Sequence, residues 1–272
     1  MKHKIVVFLI ALLVCVGFLC IFYPNMVYFL ASQKQGRVIQ DYQISIEEMN
    51  AQRMNVEYQK AAAYNEKLSN QSASNPFSEE TEDITIDYLS SLNSDGIMGV
   101  IEIPKINVKL PIYHGTSEAV LQRGVGHLKS TSLPVGGTGT HAVLTGHRGY
   151  AGAKLFTNLD QLVIGDCFYL HVLDKILIYE IDQVLVVTPD QTEALKLEEG
   201  QDEVTLLTCT PYGINSHRLL IRGKRVEEQL VQTQPERIEE PPIPVKEMLL
   251  SFVTLIGISV GIWRLKKRKK RE

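Results

Sequence analysis

The apolar positions of this chain follow different rules in different stretches. Ile5 to Phe22 is an unbroken run of apolar residues and one glycine. It is long enough to cross a hydrocarbon core as a helix. Val27 to Asn70 is polar with spaced apolar residues, holds one glycine and no proline, and contains Ala61-Ala62-Ala63. That pattern predicts helix. Ser69 to Glu82 (SNQSASNPFSEETE) reads as a loop by composition. Asp83 to Leu92 reads as a short helix or an extended segment. From Gly99 the pattern becomes short β-like runs separated by turn residues. They are Val100–Ile103, Val108–Tyr113, Ala142–Thr145, Cys167–Val172, Ile176–Ile181, Val184–Val187, Val204–Cys209 and Arg218–Val226. Lys154 to Leu162 is a helical insert with apolar Leu155, Phe156, Leu159 and Leu162. About eight strands over roughly 130 residues predict a closed or nearly closed β-barrel with its own core. Gln234 to Pro244 is acidic and Pro-rich, a semi-extended spacer. Met248 to Trp263 is a second apolar run, slightly short for a span unless lysines snorkel at its ends.

The flanking charges orient these runs. Lys2 and Lys4 precede the first run, and Arg264-Leu265-Lys266-Lys267-Arg268-Lys269-Lys270-Arg271 follows the second. By the positive-inside rule both termini are expected in the cytoplasm, with residues between roughly 31 and 247 outside the cell membrane. A signal peptide is the competing reading of the first run. The run is long for that role and no small-x-small cleavage site follows at once, so an uncleaved anchor is expected. A basic block can also be a nucleic-acid tail, but its position directly after an apolar run favours a stop-transfer signal. The expected organisation is an N-terminus and anchor over 1–30, a helical and loop segment over 31–94, and a barrel over 95–228. A linker over 229–247, a second span over 248–263 and a cytoplasmic tail over 264–272 complete it. The chain carries a net charge of −3. The two ends hold nine basic residues against Glu272, so the outer part carries about −11. An acidic outer region has no footprint for nucleic acid.

Candidate chemistry concentrates in Thr205 to Arg225, TLLTCTPYGINSHRLLIRGKR, which reads as strand, polar loop and strand. Cys209 ends the first strand and Arg218 opens the second. A free thiol titrates near 8.5, so a nucleophilic cysteine needs a proton partner and a cationic surrounding. His147, in His141-Ala142-Val143-Leu144-Thr145-Gly146-His147-Arg148-Gly149, supplies an imidazole. Arginine stays charged and presents donors in a fixed fork suited to an oxyanion. Cys, His and Arg suffice for acyl transfer through a thioester. Each residue also has an ordinary reading: a cysteine at a strand end is commonly a small buried hydrophobe, and a strand arginine is commonly a surface ion pair. Arg222 competes with Arg218 and His141 competes with His147. Cys15 and Cys20 fall in the first apolar run, so a disulfide between Cys167 and Cys209 is a further alternative, one that would remove the nucleophile. The histidines do not fall at zinc-ligand spacings around Cys209. No metal and no organic cofactor is expected.

On THAVLTGHRG (Thr140 to Gly149), TLLTCTPYG (Thr205 to Gly213) and HRLLIRGKR (His217 to Arg225), the chain resembles the sortases, most closely the class C, pilus-building sortases of Gram-positive bacteria. The resemblance implies an eight-stranded, mainly β sortase-type barrel with short helices. It implies Cys209 as nucleophile, His147 as general acid/base and Arg218 as the oxyanion and substrate-orienting residue, preferred over Arg222. The implied reaction is transpeptidation: cleavage of an LPXTG-like sorting signal between Thr and Gly, a Cys209 thioester, and transfer to a lysine amine of another pilin subunit. The implied partners are pilin subunits with LPXTG-like signals, their acceptor lysine, and the membrane through two spans.

Class C members carry a lid before the barrel, usually Asp-Pro-aromatic. The matching place here is Asn75-Pro76-Phe77, inside a lid of about 69–82. The proline and aromatic fit and the acid is missing. The resemblance therefore implies a lid held chiefly by Phe77, with a weaker contact from Asn75 to Arg218. One alternative is a housekeeping-type sortase that attaches proteins to a cell-wall precursor. A second is a non-catalytic membrane-tethered adhesin or scaffold.

Overall fold

The computed structural model describes residues 2–70 and 87–227. The chain divides into two compact units, residues 1–25 with 237–272, and residues 26–236. Within the first, the described residues form the start of helix α1 (Lys2–Glu47), which contains the Ile5–Phe22 run. Among the described residues no helix is long and apolar enough to cross a membrane. The expected pair of flanking spans therefore gains no support from the structure. Part of the first run's side chains, and the whole of the second run, spacer and basic tail, lie outside the described residues. Asn75, Pro76 and Phe77 of the expected lid lie outside them too.

In the second unit, helices run onto a barrel. Val27 to Asn70 is two helices, because α1 ends at Glu47 and α2 spans Ala51–Asn70. Asn50 causes the restart. Its side-chain oxygen accepts the Arg53 N–H at 2.8 Å, the pairing of a helix N-cap. Ile39, Tyr42 and Ile46 form one stripe of α1, buried with Ile97, Val100 and Tyr113 of the barrel wall. Ala61 and Tyr64 of α2 join the main core. Residues 87–90 form a short helical turn.

The strands are β1 (Ile97–Ile103), β2 (Val108–His114), β3 (Val125–His127), β4 (Thr140–Thr145), β5 (Cys167–Val172), β6 (Lys175–Val187), β7 (Asp202–Thr210) and β8 (His217–Val226). They close a barrel in the order β1-β2-β3-β4-β7-β8-β6-β5. Ile101, Leu144, Phe168, Leu206, Leu219 and Ile221 are buried in its core. Three expectations need correcting. β3 has too few residues to show a period. Ile176–Ile181 and Val184–Val187 are one strand, with a register shift between Ile181 and Gln183 where a turn was expected. Lys154 to Leu162 is a series of turns ending in a short 3₁₀ helix, Leu159–Gln161. Leu155 there takes the left-handed conformation (φ 42°), which a helix cannot include. The four apolar side chains are nevertheless buried.

Cys167 and Cys209 are both free thiols. Cys167 sits opposite Glu180 of β6, whereas Cys209 reaches the level of Val187 through Arg218. Those β6 positions are about 20 Å apart along the strand, too far for a disulfide. Burial, then Glu180 and Asp166, push the Cys167 thiol up from its ordinary value.

A triad of Glu102, His171 and Lys109 outside the barrel gives a test of acid stability. Glu102 accepts from His171 Nε2 at 3.1 Å and pairs with Lys109 Nζ at 3.2 Å. The His171 hydrogen bond, with Lys109, holds the Glu102 carboxyl down at about 2 from 4.5. A depressed carboxylate stabilises the fold above its unfolded value and loses that contribution as pH falls through its folded value. Thermal unfolding of Glu102→Gln against the parent chain should therefore differ above pH 4.5 and converge as pH approaches 2. The expected gap is about 2–4 °C per kcal/mol lost; a gap that persists at low pH would contradict this role.

Candidate active site

Side chains on a strand alternate between its faces. On β7, Val204 and Leu206 enter the main core, while Leu207 packs in a separate cluster with Val143, Leu195 and Leu220. Leu207, Cys209, Arg218 and Leu220 line one cavity of about 350 Å³. Thr145, Gly146 and His147 border it from the end of β4. Pro189, Gln191, Thr192 and Leu195 supply another wall, from the loop between β6 and β7.

Register brings the three predicted residues together. β7 and β8 are antiparallel with Cys209 directly opposite Arg218. β4 and β7 are parallel with Thr145 beside Leu207. His147 follows that last pair by two residues and borders the same cavity as Cys209. The backbone continues the ladder there: Gly146 N–H donates to Leu207 O at 3.1 Å, and buried Thr208 Oγ1 donates to Gly146 O at 2.7 Å. Glycine is required at 146, because an added Cβ would lie 2.8 Å from the buried Phe156 ring. Phe156 in turn donates its N–H to His147 O at 3.1 Å. Arg148 braces the same corner. Its Nη1 donates to Thr210 Oγ1, beside Cys209, at 3.0 Å, and its Nη2 donates to Asp160.

The two competing residues have other partners. Arg222 donates Nε to Asp182 Oδ1 at 3.0 Å and Nη2 to Asp182 Oδ2 at 2.7 Å, with Glu198 and Glu203 also in range. Its fork is committed to a carboxylate cluster. Arg218 Nη1 meets the carbonyls of Asn215 and His217, at 3.2 and 3.1 Å, and borders the cavity. His141 is buried, with Nδ1 2.9 Å from Lys196 O and Nε2 2.8 Å from Thr205 Oγ1. A neutral ring that donates to the carbonyl and accepts from the hydroxyl satisfies both contacts, and burial pushes its pKa down. His141 and Arg222 thus tether the β6–β7 loop, through Lys196 and Glu198, and leave the cavity to the other pair.

His147 is partly exposed, stacks on Tyr150 with centroids 5.7 Å apart, and has its Nε2 3.2 Å from Glu118. Glu118, Arg148 and Tyr150 carry no sequence signal that assigns them to the site. Glu118 lies 29 residues before His147 in an ordinary polar segment. Among the described residues no group of three or more His, Cys, Asp or Glu is placed to hold a metal ion.

A sortase domain model matches residues 101–226, from β1 to the end of β8. The structure of sortase C1 from Streptococcus agalactiae is 44% identical, with a TM-score of 0.67 over 70% of this chain and 98% of that one. The chain belongs to the sortase family. Sortases are cysteine transpeptidases, which gives the Cys209–His147–Arg218 corner its chemical context. This sortase is also similar to a Clostridium perfringens sortase C solved with the C-terminal cell wall sorting motif, at 44% identity and a TM-score of 0.62, covering 70% of this chain and 98% of that one. Sortase D of Bacillus subtilis is 37% identical over 131 residues, 47% of this chain. That match spans 63% of Sortase D's length, under two thirds.

Proposed function

We propose that this sortase cleaves an LPXTG-like sorting signal between Thr and Gly and transfers the product to a lysine amine of a pilin subunit. The single observation that carries the reading is the corner where Cys209 lies opposite Arg218 and His147 borders the same cavity. Likeness over nearly its whole length to a Streptococcus pneumoniae sortase C, 43% identical and described for its pilin substrate specificity, supports a pilin-type substrate. Thiolate Cys209 attacks the Thr carbonyl carbon. A C–S bond forms, the C–N bond to Gly breaks, and protonated His147 gives its proton to the leaving glycine amine. Arg218 faces the oxygen that gains charge. The lysine ε-amine then attacks the thioester: a C–N bond forms, the thiolate leaves, and His147 takes the amine's proton. The enzyme returns to its starting state with an isopeptide bond made.

Incubating the full-length chain with an LPXTG-type peptide and hydroxylamine tests the first half. The expected product is a hydroxamate ending at Thr. Absence of any hydroxamate, or one ending elsewhere, would sink the reading. With candidate pilins in place of hydroxylamine, high-mass ladders are expected.

Two further parts of the proposal rest on sequence. The apolar runs and their basic flanks favour a membrane-tethered enzyme with its catalytic unit outside and both termini in the cytoplasm. Asn75-Pro76-Phe77 acts as a lid over Cys209. Deleting residues 69–80 should speed thiol labelling of Cys209 several-fold, since an uncovered thiolate reacts as its access allows. An unchanged labelling rate would exclude the lid.

A further inference from the structure

The reading above leaves one carboxylate beside His147 without a role. Glu118 opens the short helix α3 (Glu118–Leu121), in a segment whose Thr116 and Leu121 line the cavity. Its two oxygens lie 3.3 and 3.2 Å from His147 Nε2. One turn on, Gln122 Nε2 donates to Glu118 Oε1 at 2.8 Å and fixes the carboxylate's orientation. That bond, with His147, also holds the Glu118 carboxyl below its ordinary value, so it is ionised and can only accept. The segment is anchored from behind, where Gly115 N–H donates to the hydroxyl of buried Tyr88 at 2.7 Å. Tyr150 covers a face of the imidazole.

An acceptor-only group at Nε2 means that Nε2 carries a proton. The other ring nitrogen, Nδ1, is then the one left to exchange a proton with substrate. We infer that Glu118 is the positioning residue for His147: it fixes the ring and its tautomer so that Nδ1 performs the proton transfers. This rests on the function proposed above. A carboxylate behind a catalytic imidazole does the same work in serine proteases, acting there on the opposite nitrogen. Glu118 is far more exposed than such a buried aspartate, with 64% of its side chain accessible. Its contribution is correspondingly smaller, about tenfold in rate rather than thousands.

The test uses the full-length chain with ¹⁵N-labelled histidine, at a pH well above the histidine range. Nε2 of His147 should show the shift of a protonated, pyrrole-type nitrogen, and its proton should be slowed in exchange by Glu118. Glu118→Ala should lose that protection and lower kcat about tenfold, with KM within about twofold. Glu118→Gln still offers an oxygen acceptor and should keep the protection and most of the rate. A pyridine-type Nε2 in the parent chain, an unchanged kcat in Glu118→Ala, or Glu118→Gln no better than Glu118→Ala would each overturn the assignment. The nitrogen shift needs no substrate. A chain inactive toward sorting peptides but with a protected Nε2–H would overturn the proposed reaction and leave the positioning contact standing.

Discussion

Replacing Cys209 by alanine should eliminate acyl transfer: hydroxamate formation from an LPXTG-type peptide is expected to fall by at least about 10³-fold, to background. The size follows from the kind of step lost. Without the thiol there is no covalent intermediate, and neither His147 nor Arg218 can substitute as nucleophile. The fold should hardly notice. Cys209 lies near the end of β7 at the cavity, only partly buried, and makes no disulfide. Thermal unfolding of the variant should match the parent within about 2 °C, because small changes at such positions cost little. A variant that loses activity together with several degrees of stability would show that the loss came through the fold.

The second large effect separates the two arginines of β8. Arg218→Ala should lower kcat/KM by about 10²–10³-fold, the usual cost of removing a donor to a developing oxyanion. Arg218→Lys should recover little, since an ammonium lacks the planar fork. Arg222→Ala should behave in the opposite way. It breaks the bidentate pair with Asp182 and strips a cationic partner from Glu203, whose side chain is fully buried. Lys224 Nζ, 3.6 Å from the same Glu203 oxygen, remains as a second cation, so the loss is partial, about 1–3 kcal/mol. The expected result is a clearly lower unfolding temperature with kcat/KM, measured well below it, within about tenfold of the parent. Equal losses of activity from the two variants would contradict the division of roles.

The strands and the catalytic corner were legible in the sequence for different reasons. β7 and β8 announce themselves as short apolar runs on either side of a polar loop, and the structure puts Leu207, Cys209, Arg218 and Leu220 on one cavity. That Arg222 shares a face with Arg218 was equally legible. That it is consumed by Asp182 was not, because Asp182 comes from a third strand whose register no local pattern reveals. The same residue hid the continuity of β6. Asp182-Gln183 looks like a turn between apolar runs, yet it is a register irregularity with its carboxylate held by Arg222. In the 154–162 insert the apolar spacing suggested a helix, and the structure has turns and a short 3₁₀ helix instead. Leu155, Phe156, Leu159 and Leu162 all reach the core from turns, since packing decides and helical spacing alone does not. Glu118 had no pattern to betray it. Its partner is 29 residues away and the two meet only once the barrel closes.

Intact-protein mass spectrometry after rapid mixing with an LPXTG-type peptide reads the proposed Cys209 thioester itself. A transient adduct is expected, with the mass of the peptide up to Thr, mapped by digestion to the fragment containing Cys209 and discharged by hydroxylamine. An adduct mapped to another residue, or turnover to product with no adduct on Cys209 at any mixing time, would contradict it.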